Sequence, residues 1–304
     1  MNLRPDLEII SEWIAPDSRV LDLCCGDGQQ YQSYSTFFRA FSMFSFKFII
    51  FISLRAVAFS VAIALPQSAL AQETLFVYGP GGPAPAMKEA AVAFEKTTGV
   101  KVEVTVGPTP KWLDKAKNDA DLIFSGSETM MTDFVYAMDG QLSHQQVTPL
   151  YLRPLSILVR PGNPKHIRGV KDILKPDVKV LVVNGAGQNG VWEDMAGRKG
   201  DIKTVSALRR NIVAYSKNSA EAKQTWIDNK DIDVWLIWNI WQVDNAQLAD
   251  IVPVEHDYVI YRDTGIAITK RAENKPSAKA FASFLESPAG AKIFAKWGWE
   301  TGRK

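Results

Sequence analysis

From residue 74 onward, short apolar stretches that end in glycine- or serine-rich loops alternate with stretches of helical periodicity. Thr74–Tyr78 is an apolar stretch closed by the turn Gly79–Pro83, and the helical pattern that follows ends at Gly99. Val100–Val106 and Asp121–Phe124 repeat this arrangement as the next two predicted strands. Because strands separated by helices pair in parallel and are covered on both faces, we predict an α/β protein.

The rest of the chain continues the same alternation. Further strands are predicted at Leu155–Val159, Val178–Val183, Asp233–Trp238, Tyr258–Tyr261 and Gly265–Thr269. Further helices are predicted behind Ser127, from about Val191, and at Val205–Tyr215, Ala220–Asp228, Pro276–Leu285 and Pro288–Trp297. Ser127 and Ser287 are predicted N-caps, and Asn218 and Glu221 have the spacing of a capping box.

Composition limits the classes of function. The chain has 304 residues and a formal net charge of +2, so its totals give no electrostatic case for a nucleic-acid partner. Hydrophobic residues at 46% and charged residues at 22% are globular values, which excludes a mostly disordered or fibrous chain. The two cysteines, Cys24 and Cys25, are adjacent, and adjacent cysteines rarely pair, so no disulfide framework is predicted.

Residues 43–71 have the pattern of a secretory signal peptide. Lys47 and Arg55 supply positive charge, and residues 56–65 form an uninterrupted apolar run. Ala69-Leu70-Ala71 is a cleavage site with small residues at its first and third positions, before Gln72. Cleavage after Ala71 predicts a periplasmic protein. The alternative is an uncleaved anchor, since residues 48–65 approach the about 20 apolar residues that a transmembrane helix needs. Membrane contact would then involve only this segment.

Residues 1–30 resemble the start of a MetW-type methyltransferase. The resemblance lies in M-N-L-R-P-D-L-E at residues 1–8, in Trp13, and in P-D-S-R-V-L-D-L-C-C-G-D-G at residues 16–28. In that family the turn approaches S-adenosylmethionine and has Gly where this chain has Cys24. The pattern stops near Gln30, whereas such a fold needs a much longer run of strands and helices. We therefore predict that residues 1–42 are a non-functional fragment and junction, and we expect no cofactor.

The chain from residue 73 resembles a type 2 periplasmic solute-binding protein. The similar features are T-L-F-V-Y-G-P-G-G-P at 74–83, the strand and serine loop at 121–128, V-V-N-G-A-G-Q-N-G-V-W-E-D at 182–194, and S-P-A-G-A-K-I-F-A-K-W-G-W at 287–299. Residues 182–194, together with Y-V-I-Y-R-D-T-G at 258–265, look most like the accessory colonization factor AcfC group, whose relatives bind molybdate and sulfate.

This resemblance implies two α/β lobes with mostly parallel sheets, flanked by helices and joined by a hinge of two crossover strands. Mapped onto this chain, the first lobe is residues 73–154 plus 258–304, and the second lobe is residues 155–257. In such a fold the ligand lies between the lobes at the carboxyl ends of strands, and closure about the hinge traps it.

Loops at helix N-termini are the first candidates for ligand contact, because free backbone N–H groups there attract anions. The candidates in these loops are Gly81, Gly82, Ser125, Ser127, Asn184, Gln188 and Asn189. Arg153 and Arg262, near the two crossovers, are candidate clamps for a carboxylate or phosphate. Asn239, Trp241 and Tyr258 are candidates on the side of the second lobe. Ordinary turns, helix caps, surface arginines and core aromatics are the alternative readings of these positions.

Catalytic and metal-binding patterns are weak. The sequence has no G-x-S-x-G motif, and His144, His166 and His256 lack the spacing of a zinc site. We therefore expect a non-enzyme. The resemblance and the candidate loops together imply binding of a small oxyanion or anionic metabolite, and the resemblance implies an ABC transporter permease as a partner. The alternative is a surface adhesion or colonization factor that uses the same fold.

Overall fold

The computed structural model describes residues 73–302. The predicted fragment and junction (1–42) and the predicted signal peptide (43–71) lie outside these residues. The strands are β1 (Thr74–Gly79), β2 (Lys101–Val106), β3 (Leu122–Phe124), β4 (Val147–Val159), β5 (Val180–Val183), β6 (Ile212–Ser216), β7 (Val234–Trp238), β8 (Asp250–Pro253) and β9 (Tyr261–Ile268). The α-helices are α1 (Ala84–Thr98), α2 (Leu113–Asp119), α3 (Glu128–Ala137), α4 (Val170–Ile173), α5 (Val191–Gly197), α6 (Ile202–Asn211), α7 (Ser219–Asp228), α8 (Ile240–Asp244), α9 (Pro276–Glu286) and α10 (Pro288–Lys296).

The nine strands form one mixed sheet in the order β2-β1-β3-β9-β4-β7-β5-β6, and β8 pairs with β4. We call the part made by β1, β2, β3, β9 and residues 147–154 of β4 the first half-sheet. The part made by residues 155–159 of β4 and by β5, β6, β7 and β8 is the second half-sheet. The α/β fold predicted from the sequence is therefore confirmed.

The sheets are less parallel than expected. β1 pairs in parallel with β2 and β3, and β5 pairs in parallel with β6 and β7. The pairings of β9 with β3 and of β4 with β7, β8 and β9 are antiparallel. The physical reason is that β4 carries the chain out of the first half-sheet and β9 carries it back, so the two run in opposite directions.

The interior of both half-sheets is apolar. Every residue of β3, β5 and β7 is buried, as expected for short strands covered on both faces. On the first half-sheet, α1 packs against α9 through Phe94 and Phe281, whose ring centroids are 5.1 Å apart. Among residues 73–302, no helix has both the length and the apolar character required to cross a membrane.

The predicted helix ends are confirmed where capping chemistry defines them. Gly99 closes α1 with φ of 74°, a left-handed conformation that glycine adopts without a steric penalty. The Ser127 side chain accepts from the N–H of Met130, and the Asn218 side chain accepts from the N–H of Glu221. Ser287 caps α10 in the same way.

The predicted helix over Val205–Tyr215 is wrong at its end. α6 stops at Asn211, and Ile212–Ser216 forms β6 in parallel with β5. The apolar residues of I-V-A-Y-S fit a helix and a strand equally well, and pairing with the buried edge of β5 decides in favour of the strand. The sequence reading also missed β8 and the first half of β4.

Candidate functional site

A cavity lies between the two half-sheets, at the loops that follow their parallel strands. It encloses about 630 Å³ of non-protein space, including its open mouth. The first half-sheet contributes Pro80, Gly81, Gly82, Pro83, Gly107, Pro108, Thr109, Gly126, Met130 and Arg153 to its lining. The second contributes Ala186, Gln188, Asn218, Ser219, Ala220, Trp238 and Trp241. This is the position at which open α/β sheets bind ligands.

Arg153 is the single charged residue among the described residues that line this cavity. It lies on β4 and its side chain is almost fully buried, at 3% exposure. Nη2 donates to the carbonyl oxygen of Gly126, whereas Nε and Nη1 are buried and find no hydrogen-bond partner in residues 73–302. Burial lowers the pKa of Arg153 to about 9, so the guanidinium stays charged at neutral pH.

Two indole rings hold the guanidinium of Arg153. Its Cζ atom lies 4.8 Å from the ring centroid of Trp238 and 4.6 Å from that of Trp299. Trp299 is positioned because Glu300, the next residue, exchanges backbone hydrogen bonds with Leu152 on β4. These cation–π contacts fix the direction of the unpaired nitrogens while leaving them free.

Two helices begin at the cavity. Gly81 and Gly82 precede α1, which has 15 residues, and Asn218 to Ala220 form the start of α7, which has 10 residues. The first N–H groups of a helix have no partner within the helix, and the helix dipole makes that end attractive to anions. At α7 these N–H groups belong to Ser219 and Ala220, which line the cavity and match the positive charge of Arg153. At α1, Pro83 and Pro85 have no N–H, and the N–H of Ala84 donates to the carbonyl oxygen of Gly81 at 3.2 Å, so α1 contributes mainly its dipole.

The walls of the cavity are largely apolar. Trp241 covers the Gly81–Gly82 turn, since a Cβ built on Gly81 would lie 4.0 Å from its ring. Trp238 is buried, and its Nε1–H finds no hydrogen-bond partner within the described part of the chain. Such walls exclude water and strengthen every electrostatic contact inside the cavity.

Loops of the two half-sheets touch at one side of the cavity. The hydroxyl of Ser127 donates to the carbonyl oxygen of Gly187 at 3.3 Å. A Cβ built on Gly187 would lie 2.9 Å from both Ser127 Oγ and Met130 Cβ. Beside this contact, Gln188 Nε2 donates to Ser219 Oγ at 2.9 Å, which joins the loop after β5 to the start of α7.

Asp263 on β9 is a half-buried acidic residue, and its charge opposes the lowering of the Arg153 pKa by burial. Its Oδ1 accepts from the backbone N–H of Glu128 at 3.1 Å, and its Oδ2 is buried without a partner in residues 73–302. Burial raises the pKa of Asp263, and the charges of Arg153 and Arg262 oppose that rise. Burial also raises the pKa of Glu128, and the carboxylate of Asp263 adds to this effect.

Five of the twelve predicted ligand-binding residues line the cavity. They are Gly81, Gly82, Arg153, Gln188 and Trp241. Ser125 and Ser127 flank the lining residue Gly126, but the Ser125 hydroxyl accepts from the N–H of Gly265 inside the sheet.

The other five predicted residues lie outside the lining. Asn184 accepts from Gly190 N–H, and Asn189 is exposed. Asn239 donates to the Gly298 carbonyl at 2.6 Å, Lys199 lies over the ring of Tyr258, and Arg262 pairs with Asp194 at 2.7 Å. Ligand contact by these residues stays a prediction.

The sequence reading missed the start of α7 as part of the site. The sequence predicts Asn218 as a cap but also predicts a helix over Val205–Tyr215, so it predicts no strand end before Asn218. Reading Ile212–Ser216 as a strand would have placed Asn218, Ser219 and Ala220 at a carboxyl end beside Gln188. Gly107 to Thr109, after β2, could have been found by the same rule.

Within residues 73–302, no group of three or more His, Cys, Asp or Glu side chains is arranged to hold a metal ion. The cavity lining contains neither a histidine nor a carboxylate. The cavity can therefore bind an anion through the guanidinium of Arg153, the indoles of Trp238 and Trp241, and backbone N–H groups.

Comparisons with known proteins agree with this geometry. Residues 75–300 match the family described as bacterial extracellular solute-binding protein. The crystal structure of Peb3 from Campylobacter jejuni is 36% identical, covers 75% of this chain and 100% of its own, and superimposes with a TM-score of 0.70. An L-phospholactate-bound PEB3 structure has the same identity and coverage and a TM-score of 0.71.

More distant matches include two sulfate-binding proteins. The sulfate-binding protein of Salmonella typhimurium is 25% identical over 167 residues, which is 48% of this chain and 50% of that protein. The chain thus spans about half the length of the curated relatives it matches. The sulfate-binding protein SubI from Mycobacterium tuberculosis, at 18% identity and a TM-score of 0.62, shares the fold. A separate short match covers residues 4–36 and is to methionine biosynthesis protein MetW.

The family match, over residues 75–300, covers nearly all the described residues. The fold is that of the type 2 periplasmic binding proteins. The chain belongs to the bacterial extracellular solute-binding protein family.

Proposed function

We propose that this protein captures a small oxyanion or anionic metabolite in the cavity described above. The observation that carries the proposal is that the unpaired buried side-chain polar atoms on the cavity lining are donors and not acceptors. Among the described residues, the buried side-chain donors without partners are Arg153 Nε, Arg153 Nη1 and Trp238 Nε1, on residues that line the cavity, and Trp235 Nε1, on a residue that does not. The unpaired acceptors belong to Asn239 and Asp263, which do not line it. Buried donors left open at a cavity favour an acceptor-rich ligand.

Related proteins support the same ligand class. A structure of PEB3 contains L-phospholactate, and the Salmonella relative is a sulfate-binding protein. Both ligands are anions with several acceptor oxygens, which suit a guanidinium fork and helix N-termini. We extend the proposal to export through residues 43–71, with cleavage after Ala71, and to delivery of the anion to an ABC transporter permease.

We also propose that the two half-sheets act as lobes that close on the ligand. The first lobe is residues 73–154 plus 258–304, the second is residues 155–257, and β4 and β9 form the hinge. The Ser127–Gly187 contact supports this view, because it joins the two lobes beside the cavity. A closing hinge would bury the ligand and make release slow.

A panel of anions tests the proposal. Sulfate, molybdate, phosphate, citrate and L-phospholactate are added at millimolar levels, with glycerol as the uncharged control, and the unfolding temperature is recorded. A ligand stabilises in proportion to the logarithm of its concentration over Kd, so at least one anion is expected to raise Tm progressively. Absence of a shift with every anion would refute anion capture and favour the adhesion alternative.

A further inference from the structure

An ion pair joins the two proposed lobes beside the cavity. Arg262 Nη2, on β9 of the first lobe, donates to Asp194 Oδ2, on α5 of the second lobe, at 2.7 Å. Every other ion pair between described residues joins two residues of the same proposed lobe. An ion pair between surfaces that separate on opening exists only while the lobes are closed, so it stabilises the closed state alone.

This ion pair lies next to the anion site without belonging to its lining. Arg262 lies directly opposite Arg153 in the antiparallel pairing of β4 with β9, so the two side chains leave the same face of the sheet. Asp194 lies in the first turn of α5, the helix that follows the loop with Gln188. Neither Arg262 nor Asp194 lines the cavity. The ion pair therefore ties the wall that carries Gln188 to the strand beside Arg153.

Pairing with Asp194 occupies the charge of Arg262. Like charges directly opposite each other in an antiparallel pair are destabilising, and the carboxylate of Asp194 offsets the repulsion between Arg262 and Arg153. Arg262 Nη1 donates to the carbonyl oxygen of Tyr261 at 3.2 Å. Arg153, by contrast, keeps Nε and Nη1 without partners among residues 73–302. The two arginines thus differ in use, because Arg153 is open to a ligand and Arg262 is bound to the opposite lobe.

We propose that the Asp194–Arg262 ion pair is a latch that holds the two lobes closed over the bound anion and thereby slows its release. This inference rests on the proposed capture of an anion by lobe closure. Asp194 and Arg262 are positioning residues, since they act on the ligand only through the closure equilibrium. Their side chains are 48% and 32% exposed, so water and salt screen the pair. We expect an effect of about two- to fivefold on dissociation, the range of a partly exposed ion pair.

Stopped-flow tryptophan fluorescence tests the latch, since Trp238 and Trp241 line the cavity and report the arrival and departure of a ligand. Sulfate and L-phospholactate are the probes. Asp194→Ala should raise koff about two- to fivefold and change kon less, because the latch forms after the anion has entered. In the background of Arg262→Gln, D194A should leave koff unchanged, because the latch is already broken there. Each single variant breaks the pair from a different lobe, so either one tests the latch if the other does not fold.

Glu193→Ala is the matched control. Glu193 is the neighbouring residue in the first turn of α5, and it is also acidic and exposed. It forms no ion pair with any residue of the part of the chain that the structure describes. E193A thus removes the same charge from the same helix end while the latch is kept, and its koff should equal that of the wild type.

Three outcomes would overturn the inference while leaving anion capture intact. Unchanged koff in D194A and R262Q would make the pair an ordinary surface ion pair. An equal effect of D194A with and without Arg262 would show that Asp194 acts through something other than this pair. Faster dissociation from E193A would assign the effect to the charge of α5.

Failure of the wild type to bind any anion of the panel would refute the proposed function instead. The latch is then judged by small-angle X-ray scattering of the ligand-free full chain. D194A should have a larger radius of gyration than the wild type, because its lobes are no longer held together, and E193A should not. Equal radii for D194A and the wild type would overturn the latch as well.

Discussion

Replacing Arg153 by methionine should weaken anion binding strongly while changing the stability of the ligand-free protein little. Nε and Nη1 are both available to an anion, and a hydrogen bond to a charged group contributes about 1.5–3 kcal/mol. Loss of both should weaken binding by at least about 3 kcal/mol, or about 100-fold. We therefore expect the calorimetric Kd for the anion that gives the largest thermal shift to rise by at least about that factor.

The stability of the ligand-free protein should change little. The variant loses the hydrogen bond to Gly126 and the contacts with Trp238 and Trp299. In return, it removes a charge that is 3% exposed and only partly hydrogen-bonded, and apolar replacements of buried charges are often neutral or stabilising. A net change within about 2 kcal/mol corresponds to about 4–8 °C in Tm for a chain of this size.

Arg160→Met is the matched control. Arg160 also contacts an indole, with Cζ 3.5 Å from the ring centroid of Trp226. Its nitrogens donate to the carbonyl oxygens of Trp226, Asn229 and Ile232, and it does not line the cavity. R160M should lose about 2–3 kcal/mol of stability, at about 1 kcal/mol per hydrogen bond, with unchanged affinity. Binding by R153M within threefold of wild type would refute the role of Arg153 as the anion anchor.

Three further predictions concern the cleft and the front of the chain. Gly187→Ala should weaken anion binding tenfold or more, because the new Cβ would lie 2.9 Å from Met130 Cβ. Gly190→Ala is the control, since Gly190 has a similar positive φ but no atom within 4 Å of the added Cβ, and its Kd should not change. Equal Kd values for the two variants would contradict the importance of the close approach at Gly187. Ser127→Ala should lower Tm by about 2–4 °C, because it removes a helix cap worth about 1 kcal/mol, and it should also weaken anion binding. Ser287→Ala removes a similar cap away from the cavity and should lower Tm only. Thermal unfolding measures the first effect and calorimetry the second. A chain started at Met43 should be exported, begin at Gln72 on N-terminal sequencing, and bind with wild-type affinity, and weaker binding would show that residues 1–42 contribute.

Much of the fold could be predicted because local signals agree with the tertiary structure. Buried strands such as Leu122–Phe124 and Val234–Trp238 are continuous apolar runs, and Gly99 marks a helix end. The first half of β4 was missed because Pro149 and Pro154 interrupt it, and proline is rarely found inside a strand. The structure accommodates Pro149 with a register shift between Pro149 and Tyr151, which no local pattern reveals.

The site was only partly predictable for a different reason. Gly81, Gly82 and Gln188 follow strands, so their loops could be read from the sequence. The environment of Arg153 could not, because Trp238 and Trp299 reach it through pairings of distant segments. The sequence identified Arg153 as a candidate clamp, but its burial and its unpaired nitrogens follow from tertiary packing alone.

The position of Arg153 links binding to the proposed closure of the lobes. Up to Pro154, β4 pairs with β9 in the first half-sheet, and from Leu155 it pairs with β7 in the second. Arg153 thus lies where the shared strand passes from one half to the other, and under the proposed closure this is the point expected to move least. The loops at Gly82 and at Ser219 lie on opposite halves and would swing toward it. We infer that, if the halves close as proposed, the Gly82 loop and the N-terminus of α7 approach an anion held by Arg153 from opposite sides, so that ligand affinity and lobe closure are one equilibrium.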